Sequence, residues 1–319
     1  MDVYRLFKLM SDRSSHNKRI AKNTLFLYLR MGLVLVVSLF STRVVLQALD
    51  IEDYGINNVV SGFVTMFAFL NTSMSNGVQR FYNFSLGRKN GYSIKDVYNT
   101  ALQIQAILAV TLLVPLETFG MWYIHTQMVI PIDRFAAAQW VFQFSVLSLV
   151  LLVLQIPYSA AIMAYEKMDY YAYLSIFDVL AKLGIAYIIK YTTFDKLILY
   201  GALNMLVSLI CFFLYYGYAK SHFQDLKSDF IIRKQLFKPM LYFSGWNGFG
   251  SFAYMIKSQG LNMLLNVFFG PVVNAARGVS NMAMSAIQGF QSNIVIAFRP
   301  QLIQSYATGD NERVLKLFY

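Results

Sequence analysis

Five basic residues lie where a lipid bilayer would tolerate them least. Arg30, Arg43, Lys182, Lys257 and Arg277 fall inside long apolar runs, and a cation near mid-membrane costs roughly 2.5–3.5 kcal/mol even on the most lenient insertion scale. Cations held there are suited to receiving an anion such as a phosphate, Arg through a bidentate fork and Lys as a point charge. Amides and hydroxyls accompany them at helical spacing. In the last apolar run Asn274, Arg277, Asn281, Ser285, Gln288 and Ser292 recur at steps of 3 or 4, which is one face of an α-helix. In an earlier run Asn57, Ser61, Thr65, Thr72 and Asn76 step by 4, 4, 7 and 4. A single shift of 220 residues lays Asn57, Ser61, Thr65 and Thr72 onto Arg277, Asn281, Ser285 and Ser292.

Each cation also has a plainer reading. Arg277, on the polar face near the outer third of its run, is the first candidate for anion binding; the alternative is that it snorkels to the headgroups. Lys257 stands to one side of the stripe Ser244, Asn247, Ser251, Ser258 and Asn262, and so lies at a cavity edge or outside it. Arg30, about one turn inside its run, and Arg43, near the outer end, are shallow enough to snorkel as well. Asp178 and Lys182 at i and i+4 predict a pair that lowers the cost of burying both. A structural pair is the simpler reading and a proton-coupling pair the sharper one. The candidate cavity residues are therefore Arg277, Lys257, Arg30, Arg43, Asn274, Asn281, Ser285, Gln288, Asn57, Ser61 and Thr65, with Asp178 and Lys182 beside them.

These residues need elements to carry them. The 319 residues are 57% hydrophobic and 13% charged, about half the charge of a soluble domain. The apolar residues arrive in runs near the ~20 residues that cross a bilayer as a helix. Eight spans are predicted, at about 24–48, 56–78, 100–124, 139–163, 171–190, 197–219, 240–266 and 272–297. A basic stretch precedes the first and no small-residue cleavage site follows it, so it reads as a retained span. With the N-terminus inside, cytoplasmic segments gather Arg80, Arg88, Lys89 and Lys95, then Lys220, Lys227, Arg233, Lys234 and Lys238. The outer loops hold only Arg134, Lys190 and Lys196, together with the acidic run Asp50-Ile-Glu-Asp53. This asymmetry predicts a multi-pass protein of a bacterial inner membrane with its N-terminus in the cytoplasm. It also accounts for the formal charge of +11 without any nucleic-acid partner.

Several chemistries are excluded. One cysteine, Cys211, cannot make a disulfide framework, and His16, His125 and His222 are too far apart in sequence for a metal motif. There is no phosphate-cradling glycine loop and no nucleophile elbow. The sequence predicts no cofactor, no metal and no catalytic group. A membrane glycan polymerase or acyltransferase would want reactive side chains in long outer loops; the longest, about 125–138, offers His125, Asp133 and Arg134.

The two polar faces belong to the second and eighth spans. Six spans separate them, an even number, so both halves share one orientation about an axis along the membrane normal. Similar tails follow each face, Arg80-Phe-Tyr-Asn-Phe-Ser-Leu-Gly87 and Arg299-Pro-Gln-Leu-Ile-Gln-Ser-Tyr-Ala-Thr-Gly309. The expected fold is an all-α polytopic membrane protein: two parallel-repeat six-helix lobes around a central cavity lined by the second and eighth spans, the second lobe truncated in this chain. The expected division is a cytoplasmic segment 1–23, a first lobe 24–219, a cytoplasmic linker 220–239, and the start of a second lobe over 240–319.

Specific runs carry a family resemblance. Asn274-Ala-Ala-Arg-Gly-Val-Ser-Asn281 followed by Phe298-Arg-Pro-Gln-Leu-Ile-Gln-Ser-Tyr-Ala307 resembles the oligosaccharide flippases of the multidrug/oligosaccharidyl-lipid/polysaccharide exporter (MOP) superfamily. Asp53-Tyr-Gly-Ile56 and Asn76-Gly-Val-Gln-Arg-Phe81 are similarly placed in the first lobe of that family. The sequence looks most like the Wzx-type flippases of O-antigen or capsule repeat units, the lipopolysaccharide biosynthesis proteins. The resemblance implies alternating access and an undecaprenyl-pyrophosphate-linked oligosaccharide as cargo, moved from the cytoplasmic to the outer leaflet. It also implies contact with membrane lipids and with the glycan assembly machinery. For such a cargo, cations would receive the pyrophosphate while amides and aromatic faces handle the sugar. The competing expectation is a cation-coupled multidrug exporter of the same superfamily, which would want buried acids. Within the spans the acids are Glu117 and Asp178, against the five bases named above.

Overall fold

The computed structural model describes the backbone over 3–87, 92–126, 128, 130–226 and 234–318. Within these, the side chains of 3–21, 63, 65, 68, 234, 255–256, 258–279, 281–283, 285–286 and 316–318 are not described. Among the described residues there is no strand. The helices are α1 (Val3–Thr65), α2 (Ala68–Gly87), α3 (Ile94–Pro115), α4 (Met121–Thr126), α5 (Phe135–Ala164), α6 (Met168–Lys190), α7 (Lys196–His222), α8 (Lys234–Thr308) and α9 (Asn311–Phe318). A π-helical turn, Leu116–Gly120, follows Pro115 and joins α3 to α4. Such turns absorb the disturbance that a proline makes in the hydrogen-bond ladder.

Five stretches are long and apolar enough to cross a membrane: Lys22–Gly62, Ile94–Thr126, Ile132–Ala164, Met168–Lys190 and Lys196–His222. They hold the first, third, fourth, fifth and sixth predicted spans. Their outward faces carry exposed Leu29, Val36, Phe40, Val110, Val114 and Phe213, side chains that acyl tails solvate and water does not. The chain is a multi-pass, all-α membrane protein.

The connections differ from those expected. The acidic run Asp50–Asp53, expected as an outer loop, is helical apart from Asp50, whose φ of 62° and ψ of 170° bend α1 at one residue. A non-glycine residue with positive φ is strained, and one such residue replaces a whole loop. The second span, expected unbroken over 56–78, is interrupted at Met66–Phe67, where the Phe67 amide bonds Val64 O and the Leu70 amide bonds Phe67 O, each at 3.1 Å. Those are the tighter i→i+3 bonds of a 3₁₀ turn. No loop separates the seventh and eighth spans, because α8 is helical from Lys234 to Thr308. Yet Ser251 and Arg299 both reach α2, at Ser73 and Asn76. As 48 residues of straight helix would hold them about 72 Å apart, the chain must reverse between them.

Three apolar clusters hold the helices together. One joins α2, α3, α5 and α7 through Val78, Tyr82, Tyr98, Ile156 and Tyr215 at the end that bears the basic residues. A second joins α1, α3 and α5 through Val60, Leu112 and Phe142 towards the opposite end. The third packs Val45 and Leu49 of α1 against Ile185 and Ile189 of α6. At this opposite end Arg134 clamps three elements: its Nε donates to Asp53 Oδ1 at 2.7 Å and its Nη1 to Asp195 Oδ2 at 2.7 Å. Asp195 in turn caps α7 by accepting from Leu197 N and Ile198 N.

At the basic end, α2 lies directly along α8. A methyl group added at Gly77 would collide with Ser244, and one at Gly87 would come within 2.7 Å of Gln304 O and 2.8 Å of the Ala307 Cβ. Phe81 meets Phe243 edge to face, and Arg80 lies over the Phe243 ring at 4.1 Å. At Gly87 the α8 backbone leaves no room for a Cβ, and at Gly77 the Ser244 side chain fills the space a Cβ would take.

Candidate functional site

A cavity of about 850 Å³ opens inside the bundle formed by α1, α2, α5, α6 and α7. The cavity was expected between two lobes, lined by the second and eighth spans. Among its described lining residues most belong to the first six predicted spans, the second span included, and Ile296 and Arg299 come from α8. The close packing of α2 against α8 leaves no room between them at the basic end.

Both halves of the interrupted second span contribute to the lining. Asn57 and Ser61 come from before the break, and Thr72 and Asn76 from after it. Arg30 enters from α1, and Asp178 and Lys182 from α6. Arg43, Lys257 and Gln288 are exposed and line neither this cavity nor the groove described below. The side chains of Thr65, Asn274, Arg277, Asn281 and Ser285 lie outside the described residues.

The cavity's charge is unbalanced. Among the described lining residues Arg30, Lys182 and Arg299 accompany Asp178, three cations against one carboxylate. Lys182 Nζ donates to Asp178 Oδ2 at 2.8 Å, the i, i+4 pair read from the sequence. The Arg30 guanidinium lies 4.8 Å from the Tyr171 ring centre, a cation–π contact. Its Nε is buried without a hydrogen-bond partner. Arg299 Nη1 donates to Asn76 Oδ1 at 2.5 Å, across from α8 to α2.

Hydroxyls make up much of the rest. Ser145, Ser148, Ser175 and Ser208 each donate to the carbonyl four residues back, at 2.7–3.1 Å. That bond uses the hydroxyl proton and leaves the oxygen lone pairs free to accept from a ligand. Ser61 Oγ donates to Asn57 Oδ1 at 3.2 Å and touches Ser145 Oγ at 3.3 Å. Tyr171, Tyr200 and Tyr215 add aromatic faces. The site can therefore hold an anion beside a group rich in hydroxyls. Sequence reasoning missed the fourth- and sixth-span contributors, although their spacing was visible. Ser145, Ser148, Gln155 and Ser159 lie at helical steps on α5, and Asn204, Ser208, Cys211 and Tyr215 do so on α7.

A second, more open groove of about 440 Å³ runs between α1 and α8. It is lined by Met31, Leu35 and Leu39 with Gly289, Ser292 and Asn293, and it shares Arg30 and Val34 with the polar cavity. A polar chamber thus adjoins an apolar furrow, with Arg30 at the junction.

No protein-family model matches the chain, and no curated protein matches it in sequence. Solved structures do match in fold. A multidrug resistance MATE family transporter of the MOP superfamily, in an outward-facing conformation, superimposes with a TM-score of 0.75 at 12% identity over 94% of this chain and 67% of its own. A Vibrio cholerae MATE transporter gives 0.74 at 11% identity over 95% and 69%. A MOP superfamily transporter from Pyrococcus furiosus, described as having a binding pocket of reverse polarity that suggests a different function, gives 0.68 at 13% identity over 92% and 67%. The chain spans 66–69% of the length of the structures it matches. By structure, this chain has the fold of the MATE transporters of the MOP superfamily.

Proposed function

We propose that the protein is a MOP-superfamily flippase that moves an undecaprenyl-pyrophosphate-linked oligosaccharide from the cytoplasmic to the outer leaflet of a bacterial inner membrane. The observation that carries this reading is the cationic, hydroxyl-rich cavity meeting an apolar groove at Arg30. Such a cargo has three chemistries: an anionic pyrophosphate, a polyhydroxylated glycan and a long apolar tail. Arg30, Lys182 and Arg299 suit the first, the serines, amides and tyrosines the second, and the α1–α8 groove the third. Moving the head through this chamber while the tail stays in lipid avoids exposing phosphate charge to hydrocarbon, which is the main barrier to spontaneous flipping. The retained positive charge at one end of the helices favours a cytoplasmic N-terminus.

The second reading, a cation-coupled multidrug exporter, has the fold likeness to MATE transporters and the cavity carboxylate Asp178 in its favour. The excess of cations over acids favours the flippase.

Deleting the gene should trap lipid-linked repeat units on the cytoplasmic leaflet, and Arg30→Gln should fail to restore surface glycan. Normal surface glycan in the deletion strain would rule the reading out. Drug sensitivity with intact glycan would favour the exporter.

A further inference from the structure

We propose that Arg299 couples occupation of the cavity to closure of the basic end, because an anion held by both Arg30 and Arg299 draws the two halves of the chain together. The proposal rests on the anionic cargo argued above and adds the residue that senses it. Among the charged side chains lining the cavity, Arg30, Asp178 and Lys182 come from α1 and α6, and Arg299 comes from α8. An anion bound between Arg30 and Arg299 is therefore bound by both halves at once.

Beside close helix packing and aromatic contacts, the seal that Arg299 joins is held by polar contacts that water can replace. Ser73 Oγ donates to Ser251 Oγ at 3.1 Å, Gln304 Nε2 to Ala164 O at 3.1 Å and to Asn83 Oδ1 at 3.5 Å, and Gln301 Nε2 to Glu166 Oε2 at 3.1 Å. Such bonds exchange readily for water when the ends part, so each contributes little net free energy. Asn76 accepts one of the five guanidinium donors of Arg299, and among the described residues no carboxylate forms an ion pair with it. With the cavity empty, closure brings a third cation to two others and one acid. With pyrophosphate present, the same movement brings it to its counter-ion. A ligand shifts a conformational equilibrium only through different affinities for the two states, and Arg299 supplies that difference.

The test places cysteines at Phe84 and Tyr306, whose rings are 6.2 Å apart across the seal. Oxidative cross-linking of the full-length protein is followed in proteoliposomes with inorganic pyrophosphate as probe, and pyrophosphate binding is measured separately by calorimetry. Pyrophosphate should speed cross-linking roughly fivefold, the low end of allosteric couplings. Arg299→Gln should abolish the acceleration and Arg299→Lys should restore part of it. Asn76→Asp, which gives Arg299 a built-in anion, should raise cross-linking without pyrophosphate, an expectation that stands even if Arg299→Gln does not fold. Equal acceleration in Arg299→Gln, or no increase in Asn76→Asp, overturns the proposal. Binding without faster cross-linking overturns it while leaving the flippase reading intact, and absence of binding overturns both.

Discussion

Gly77→Ala sets two effects of opposite sign against each other. Replacing glycine with alanine inside a helix stabilises by about 0.5–1 kcal/mol, through the entropy the unfolded chain no longer loses. Against this, the new Cβ would strike Ser244 Oγ and lie 3.1 Å from the Ser244 Cβ. A rotation of the serine side chain removes the first clash. It leaves the second, because a Cβ cannot rotate away, so α2 and α8 must separate by a few tenths of an ångström. Overpacking of this kind costs about 1–3 kcal/mol, and the clash should win by about 1 kcal/mol. Ser244→Gly removes the opposing Cβ, so Gly77→Ala with Ser244→Gly should recover the seal, and the double-mutant cycle should show coupling of at least ~1 kcal/mol. The assays are thermal unfolding in detergent, where 1 kcal/mol corresponds to a few degrees, and the Phe84–Tyr306 cysteine cross-link. An alanine variant as stable as the parent, or a cycle without coupling, would refute the close contact of Gly77 with Ser244.

Other expectations follow from single contacts. Arg134→Gln leaves Asp53 and Asp195 without their shared cation and should lower stability by about 2 kcal/mol, readable as a lower melting temperature. Asp178→Asn should cost no more than ~0.5 kcal/mol, because the pair is 44% and 32% exposed and exposed pairs contribute little. The same change removes the one acid among the described cavity residues, so calorimetry should show tighter pyrophosphate binding; weaker binding would mark Asp178 as a required carboxylate. Tyr171→Leu removes the ring beneath Arg30 and should weaken the same binding by up to roughly tenfold through loss of a cation–π contact.

Much of the fold was legible because apolar length and charge asymmetry are properties of runs, which a sequence displays directly. The i, i+4 pairing of Asp178 and Lys182 was equally local. What escaped was set by packing between distant segments. Nothing in the runs says that α2 will lie against α8, and Arg299 was read as part of a cytoplasmic tail although it lines the cavity. The loop at Asp50–Asp53 was misjudged for a different reason. Three acids within four residues read as solvated turn, whereas one strained residue is enough to bend the chain and let the helix resume. Arg43 and Lys257, cations within apolar runs, are not among the described residues that line the cavity.

The contacts between α2 and the end of α8 have a regular offset. Asn83 pairs with Gln304 at a separation of 221 residues, Asn76 with Arg299 at 223, and the Phe84 ring meets the Tyr306 ring between them. These spacings match the 220-residue shift that relates the two polar faces, so each residue meets approximately its own counterpart, as residues on a two-fold axis must. In a dimer of identical half-length chains such pairs would be self-contacts, and one codon would change both sides of the interface together. Fusion into a single chain releases that constraint. The two sides can then differ while keeping their chemistry, amide facing amide and ring facing ring.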